Sequence, residues 1–425
     1  MRLGHIIIFL VVPSLAFGQI HWVKLNTPTP YSLNRLCFID SVRGWVAGDS
    51  GTVLRTTNGG QSWEVQDTGM RSNIIDFFML DQSYGWGVAL QYAMGTILIR
   101  TTNGGVTWSR DIYPGEYFYA ITFVDSANGV MGGNQGKLKT TTDGGSTWSP
   151  AVVDSSNASG FPVLRLAFFS HNYGYALGGR IDLAGIIWRT TNGGRRWTVA
   201  NPDSVGEPLH GIHFFDSLNI IAVGGDFDRG SGMVRSKDGG QSWLYTFLGI
   251  WGEARAISFR TPSEGIVPLG FPGTYMVTED TGVTWHDFFT PDSSAVFDVT
   301  FTDSLHGYMV GINGTFLKYD PTIDRVSPEM TDIPTTTTLF QNFPNPFNPN
   351  TRISYRLTFA SFVSLKVFDV LGREVVTLFR GHAPAGVHEV EFNGDVYPSG
   401  VYYYELSTTS ARDRATQVRK MLLVK

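Results

Sequence analysis

The chain has 425 residues, of which 16% are charged and 13% aromatic, and it contains 49 glycines. This composition suits turn-rich β structure, either as two or three domains or as one large repeat array. A net charge of −5 with no polybasic segment argues against a nucleic-acid partner, and a single cysteine, Cys37, excludes an intrachain disulfide.

The N-terminal segment is typical of a secretory signal peptide. Arg2 gives it a positive start, residues 6–12 are apolar, and residues 16–18 form a small-x-small cleavage site. The apolar run is too short to span a bilayer. We expect residues 1–18 to be removed, and we predict no transmembrane segment elsewhere.

A turn sequence of the form Ser/Thr-x-Asp/Asn-x-Gly-x-Ser/Thr-Trp, which we call the box, occurs six times, with one departure at Arg196. Its Asp or Asn and its Trp fall at Asn58 and Trp63, Asn103 and Trp108, Asp143 and Trp148, Asn192 and Trp197, Asp238 and Trp243, and Asp280 and Trp285. The Asp or Asn is expected to accept N–H bonds two residues on, and the Trp to cover the hairpin while its N–H finds a partner. Because Arg196 replaces the Ser/Thr before Trp197, and Thr281 replaces the first Gly of the pair found in the other copies, we interpret the sequence as a structural clasp and not as a catalytic motif.

Around each box the sequence predicts four short strands: an apolar strand ending in an aromatic residue, a Gly-containing strand, a strand entering the box, and one after the Trp. The unit recurs every 40–49 residues, the period of a propeller blade, and no helical periodicity competes with it.

Seven inner strands but only six boxes are present, because the seventh unit ends at residues 314–321 without a Trp. Trp22 lies 41 residues before Trp63, within the repeat period. Since an open ring would leave an unpaired edge, we predict that residues 20–25 supply the outer strand of the seventh blade. The prediction is an all-β, seven-bladed β-propeller over residues 19–320.

Residues 321–339 are rich in Pro and Thr and read as a linker. From 340 to 425 the sequence alternates apolar and polar residues around turns such as LGRE. This pattern predicts a small Ig-like β-sandwich.

The tail resembles the type A C-terminal sorting domain of the type IX secretion system. The shared features are the NPFNPxT opening, the VFDVxGRxV hairpin, the PSGVYYYxL strand and the basic-apolar end, in that order. The resemblance implies contact with the secretion machinery and its sortase, removal of the tail, and a place outside the cell, secreted or on the outer cell surface.

The repeats resemble two related groups. The GWxxGxxGxxLxTxxGGxxW layout is similar to that of photosystem II assembly and stability factor-like propellers, and the box is similar to the Asp-box (BNR) repeats of sialidases and xyloglucan-cutting hydrolases. The first resemblance implies a propeller that binds another macromolecule without chemistry.

Candidate binding residues lie where the inner strands begin, since propellers place function around the axial channel. They are Arg35, Asp76, Tyr119, Arg165, His210, Arg255 and Asp298. Longer loops at residues 90–95, 179–185 and 225–231 overhang the same face and contribute Gln91, Tyr92, Arg180, Asp182, Asp226, Asp228 and Arg229.

The sequence gives less support to a catalytic function than to a binding function. A sialidase needs an Arg cluster and a Tyr–Glu pair, and no convincing Tyr–Glu pair is visible; a glycoside hydrolase would use Asp76 and Asp298. His210 and His213 are three apart on a strand and so face opposite ways, which argues against a metal site, and no cofactor is expected. The sequence predicts a monomeric binding or scaffold propeller that recognises a protein or glycan, with a secreted glycoside hydrolase as the alternative.

Overall fold

A computed structural model describes most of the chain. The described residues are 22–91, 93–154, 160–200, 205–226, 229–270, 273–321, 337–342, 344–357, 361–383, 386–410 and 414–425. The predicted signal peptide, most of the predicted linker, and Tyr92 and Asp228 lie outside them. Within the described part of the chain, no helix has the length and apolar character needed to cross a membrane.

The first large domain consists of seven sheets, one for each predicted blade, and the four blade strands of each sheet are antiparallel. The inner strands are Leu33–Phe38, Asn73–Met79, Phe118–Phe123, Val163–Phe168, Leu209–Phe214, Ser258–Phe259 and Val296–Phe301. The second strands are Gly44–Gly48, Gly85–Gln91, Gly129–Gly133, Gly174–Arg180, Ile220–Asp226, Gly265–Pro268 and Gly307–Gly311. The all-β propeller predicted from the repeats is therefore confirmed.

The third and outer strands complete each blade. The third strands are Val53–Thr56, Gly95–Thr101, Leu138–Thr141, Ala184–Thr190, Gly230–Ser236, Thr274–Thr278 and Phe316–Tyr319. The outer strands are Glu64–Gln66, Ser109–Pro114, Ser149–Pro150, Arg196–Val199, Leu244–Phe247, His286–Phe289 and Trp22–Leu25. Short 3-10 turns join the second and third strands at Asp49–Gly51, Asn134–Gly136 and Ile312–Gly314. Blade 4 has a fifth strand that the sequence did not predict, Val152–Val153, which pairs in parallel with Arg196–Val199.

The ring is closed by the N-terminal strand. Trp22–Leu25 pairs antiparallel with Phe316–Tyr319, the third strand of blade 7, and so joins the two ends of the propeller sequence. Val23 lies opposite Lys318 just as Glu64 lies opposite Arg55 in blade 1, so Trp22 takes the place of a box Trp. Trp22 is 5% exposed and packs edge-on against Tyr275, Phe301 and Tyr319.

Each box ties two turns of its own blade together. In the first box the Asn58 side-chain oxygen accepts the Ser62 N–H at 2.9 Å, four residues on, so the predicted spacing of two residues is wrong. Gly59 and Gly60 both have positive φ, at 66° and 81°, which glycine adopts without steric cost. The Gly59 N–H then donates to the Val42 carbonyl, in the turn between the first and second strands.

The indole N–H groups of the six box Trp residues differ in their hydrogen bonding. The Trp148, Trp197 and Trp285 indoles donate to box carbonyls three residues back. Those of Trp63, Trp108 and Trp243 are buried without a hydrogen-bond partner, so the expectation of a partner for every indole is wrong.

The boxes also join neighbouring blades. The Trp45 indole N–H, on the second strand of blade 1, donates to the Gly104 carbonyl in the box of blade 2 at 3.1 Å. Trp86 repeats the bond to Gly144 of blade 3 at 2.9 Å. The aromatic residue after the second-strand glycine is therefore an interblade contact.

The tail forms two antiparallel sheets on one core. One contains Thr338–Leu339, Asn350–Leu357 and Gly386–Asn393; the other runs in the order Glu374–Ala383, Ser361–Phe368, Gly400–Thr409 and Arg414–Leu423. Leu339 is fully buried in that core, and its N–H donates to the side chain of Gln417. The domain therefore begins before residue 340, the predicted boundary, because a two-residue strand in a Thr-rich stretch leaves no periodic signal.

Candidate functional site

The candidate residues lie at the end of the propeller where the inner strands begin, which we call the entrance face. In six blades the pairing of inner and second strands shifts by one residue there, which is a β-bulge. Arg35, Asp76, Arg165 and Asp298 lie just after the bulge.

The other three predicted residues lie one position earlier. Tyr119 and His210 are the bulged residues themselves, and Arg255, four residues before Phe259, takes the same place in blade 6. The seven residues therefore form two adjacent layers and not the single ring that the sequence alignment predicted. No sequence pattern marks the extra residue of a bulge. The sequence alignment therefore placed Tyr119, His210 and Arg255 one residue away from the positions equivalent to Arg35.

Asp76 connects its own blade, blade 2, to blades 1 and 3. Its Oδ1 accepts the Arg35 Nε–H at 2.8 Å, and its Oδ2 accepts the Ile121 main-chain N–H of blade 3 at 2.8 Å. Arg165 approaches the same Oδ1 at 3.4 Å. Asp76 is 3% exposed, so both oxygens are taken by the protein itself.

Asp298 does the same across the seam of the ring. Its Oδ2 accepts the Leu36 N–H of blade 1 at 3.1 Å, and its Oδ1 accepts the Val299 N–H at 3.0 Å. Burial raises the pKa of Asp298, against the opposing effect of the Arg165 and Arg35 guanidinium groups. The carboxylate is thus held as a link between the last blade and the first.

The two arginines of this layer differ in their access to solvent. Burial opposes the charge of Arg35, yet Asp76 and Asp298 together hold its pKa above the ordinary value. Its side chain is 15% exposed, whereas that of Arg165 is 30% exposed. Arg165 is therefore the cation of the layer that reaches solvent.

The earlier layer contains a second charged group. Glu253 accepts two hydrogen bonds from Arg255, at 3.0 and 2.8 Å, and lies 3.2 Å from His210 Nε2. The Arg255 guanidinium lies 5.0 Å above the Phe297 ring and its side chain is 33% exposed. Burial lowers the pKa of His210 to about 4, so this imidazole is neutral at pH 7.

Tyr119 and His213 stand apart from these charges. The Tyr119 hydroxyl donates to Asn134 Oδ1 at 2.9 Å, on the 3-10 turn of the same blade. His213 packs against Phe215 and Phe259. It therefore lies in surroundings different from those of His210, and the sequence analysis expected the two side chains to face opposite ways. No cluster of three His, Cys, Asp or Glu suited to a metal occurs among the residues that the structure describes.

The loop residues form local contacts. Asp226 is 2% exposed and accepts the Arg229 N–H at 2.6 Å, and the Arg229 Nε lies 3.8 Å from Asp182. Arg180 is exposed at the end of its strand. Gln91 lies apart from them, in a groove beside blade 1.

A Tyr–Glu pair exists that the sequence did not reveal. The Tyr245 hydroxyl donates to Glu207 Oε2 at 2.8 Å, and burial followed by that carboxylate raises the pKa of Tyr245. Tyr245 lies on the outer strand of blade 5, whereas Arg35 and Arg165 lie on the inner strands of blades 1 and 4. The two residues are 38 apart in the chain, so no motif marks them.

Around the inner strands of the entrance face the carboxylates are therefore engaged within the protein, while two of the three arginines keep access to solvent. Asp76, Asp298 and Glu253 are engaged with main-chain N–H groups or arginines, while Arg165 and Arg255 keep about a third of their surface. Two accessible guanidinium groups can donate to carboxylate or carbonyl oxygens of a ligand.

Two sequence families match the chain. The photosynthesis system II assembly factor YCF48 family matches residues 16–160, and the secretion system C-terminal sorting domain family matches residues 341–422. The photosystem II assembly lipoprotein Ycf48 of Synechococcus sp. (strain CC9902) is 24% identical over 314 residues, covering 70% of this chain and 88% of its own.

Solved structures share the fold. A structure described as YCF48 bound to D1 peptide aligns with a TM-score of 0.57 and 21% identity, over 72% of this chain and 99% of its own. The GH74 xyloglucanase from Xanthomonas campestris aligns with a TM-score of 0.56 and 11% identity, over 94% of this chain and 81% of its own. At these identities the structural alignments establish the propeller architecture alone.

Proposed function

Because the chain joins a photosystem II assembly factor-like propeller to a secretion-system sorting domain, we propose that it is an exported binding propeller. The propeller holds a segment of another protein on its entrance face and carries out no chemistry on it. The sorting domain indicates export to the cell surface or the medium.

One observation carries the proposal: Asp76 and Asp298 hold neighbouring blades together, whereas Arg165 and Arg255 keep access to solvent. Asp76 and Asp298 accept N–H bonds from the neighbouring blades at 2.8 and 3.1 Å. Glycoside hydrolysis requires two carboxyl groups facing one another across a sugar. Carboxylates fixed in this way are clasps, and the accessible Arg165 and Arg255 are suited to recognition.

The comparisons agree with a protein ligand. One solved structure that aligns over 99% of its own length is described as YCF48 bound to D1 peptide. A rigid ring of blades whose loops vary in length is also a good platform for such binding, since little order is lost on association.

The test uses the full chain after removal of the signal peptide, on a peptide array and on a polysaccharide hydrolysis screen. We expect peptide binding that falls at least tenfold in Arg165→Ala and Arg255→Ala. Arg43→Ala is the matched control, because Arg43 is a half-exposed arginine in a turn at the opposite end of blade 1.

Hydrolysis would overturn this proposal. If the protein cleaves a polysaccharide and Asp76→Asn or Asp298→Asn abolishes the cleavage while the propeller stays folded, the chain is a glycoside hydrolase. Peptide binding that is equal in all three arginine variants would place the ligand elsewhere on the molecule.

A further inference from the structure

A groove of about 780 Å³ opens on the entrance face between blades 1 and 2. Its lining is Gly69, Met70, Arg71, Ser72, Asn73, Leu90, Gln91, Ile97, Arg110 and Ile112, and we call it the blade 1–2 groove. It is distinct from the two layers of inner-strand residues described above, none of which lines it.

The groove exists because the two blades differ in height. The second, third and outer strands of blade 1 have five, four and three residues, whereas those of blade 2 have seven, seven and six. At about 3.3 Å per residue, blade 2 rises roughly 7–10 Å above its neighbour. The face of blade 2 that is turned toward blade 1 is therefore uncovered near the entrance.

That face supplies an aliphatic floor. Ile97 pairs with Ile112 on the outer strand, so the two side chains share a side of the sheet. Ile97 packs in the same core cluster as Trp45 and Met70, which places that side toward blade 1. Ile112 lies at the end of this row and remains 54% exposed.

The rim is cationic. The Arg110 guanidinium donates to the Gly69 carbonyl, two residues from Arg71, and both arginine side chains are exposed. Among the lining residues that the structure describes there is no carboxylate, although the chain carries a net charge of −5. A guanidinium has five N–H donors, so Arg110 keeps donors for a ligand.

An aliphatic floor beside two arginines selects a particular chemistry. A carboxylate can accept hydrogen bonds from guanidinium groups while a neighbouring aliphatic side chain is removed from water. A sugar ring, by contrast, packs best on the flat face of an aromatic side chain, and none of the lining residues that the structure describes is aromatic. The groove therefore favours an extended peptide over a glycan.

We propose that the blade 1–2 groove binds a protein segment that carries an aliphatic side chain next to a carboxylate. The side chain lies on Ile97, Ile112 and Met70, and the carboxylate is bound by Arg71 and Arg110. The inference rests on the proposed protein-binding function. In it, the groove binds the acidic residue or the C-terminus of the protein ligand.

The test measures fluorescence anisotropy of labelled peptides with the full chain lacking its signal peptide. Three labelled peptides of eight residues serve as probes, each made of glycine and serine followed by leucine and isoleucine. The first ends in a free carboxylate, the second in an amide, and the third in an aspartate whose own C-terminus is amidated. We expect the free-carboxylate or aspartate probe to bind and the plain amide to bind at least tenfold more weakly. The better of the two acidic probes identifies the source of the carboxylate.

Variants locate the binding. Arg71→Gln and Arg110→Gln should each weaken the acidic probe at least tenfold, and Ile112→Ser at least threefold, while Arg196→Gln, an exposed arginine on the outer strand of blade 4, should have no effect. The three groove side chains are exposed, so the propeller keeps its fold.

The proposal is overturned if neither acidic probe binds, or if binding is the same in the groove variants. It is also overturned if uronic-acid oligosaccharides bind instead and lose affinity in Arg71→Gln. If the probe is lost in Arg165→Ala but not in Arg71→Gln, the groove fails while the proposed function stands. If no peptide on the array binds, the proposed function itself fails.

Discussion

Replacing Asp76 with Ala should destabilise the propeller by about 3–5 kcal/mol, which is the range for removing one partner of a buried ion pair. The substitution removes the carboxylate oxygen closest to the Arg35 guanidinium. It also removes the Asp76 oxygen that accepts the Ile121 N–H. An unsatisfied buried N–H alone costs about 1–3 kcal/mol.

The two effects do not add in full. Arg35 keeps a hydrogen bond to the Asn34 carbonyl at 3.2 Å and the attraction of Asp298, so part of the charge remains compensated. Asp76→Asn retains one oxygen for the Ile121 N–H, but its NH2 group then faces the Arg35 Nε–H, so the charge and the acceptor for Arg35 are both lost. Its expected cost is smaller, about 1.5–3 kcal/mol.

Urea unfolding followed by tryptophan fluorescence measures these values on the full chain. All eleven tryptophans lie between Trp22 and Trp285, so the signal reports on the propeller and not on the tail. The control is Asp111→Ala, which removes a half-exposed partner of Arg100 and should cost less than about 1 kcal/mol. If Asp76→Ala unfolds at the same urea concentration as Asp111→Ala, the account of Asp76 as an interblade clasp is refuted.

Three further predictions concern the clasps, the seam and the tail. Hydrogen bonds from Thr147 and Ser242 lower the pKa of Asp143 and Asp238 to about 2, below an unfolded value of about 3.9. Their contribution to stability is therefore complete above about pH 5 and lost as the pH falls toward 2. The double replacement by Asn, the residue that the first box already has, should make the urea midpoint fall less steeply between pH 5 and 2.5, and an unchanged slope would contradict the assignment. Trp22→Ala should cost about 3–5 kcal/mol, against at most about 0.5 kcal/mol for the exposed Val106→Ala, because Trp22 closes the ring; equal urea midpoints would mean that the seam does not depend on it. A periplasmic reporter fused to residues 332–425 should leave a cell that has the secretion machinery, and should stay inside when residues 420–425 are deleted, since Met421 and Leu423 are buried in the last strand; a full fusion retained in the periplasm would contradict the sorting role.

The propeller could be predicted because its spacing is periodic. The box Trp residues mark each blade, and Trp22 at the same spacing marks the strand that closes the ring. These signals can be recognised in the sequence because the hydrogen bonds within each box join residues only a few positions apart.

The candidate site could be predicted only to within one residue. The bulge moves Tyr119, His210 and Arg255 one position from Arg35, and a bulge depends on the pairing of two strands and not on residue type. Nor does any pattern announce that Asp76 accepts the Ile121 N–H, because that bond joins two blades. Such contacts between distant residues become visible only when the ring is assembled.

Site-specific photo-cross-linking tests the central claim most directly. A photoreactive phenylalanine analogue replaces either Tyr119, on the entrance face, or Tyr173, which is 49% exposed in a turn at the opposite end. In cells that export the full chain, we predict a discrete cross-linked protein from position 119 and none from position 173. Cross-links from position 173 alone, or from neither position in a protein that cleaves polysaccharide, would contradict a binding propeller that works through its entrance face.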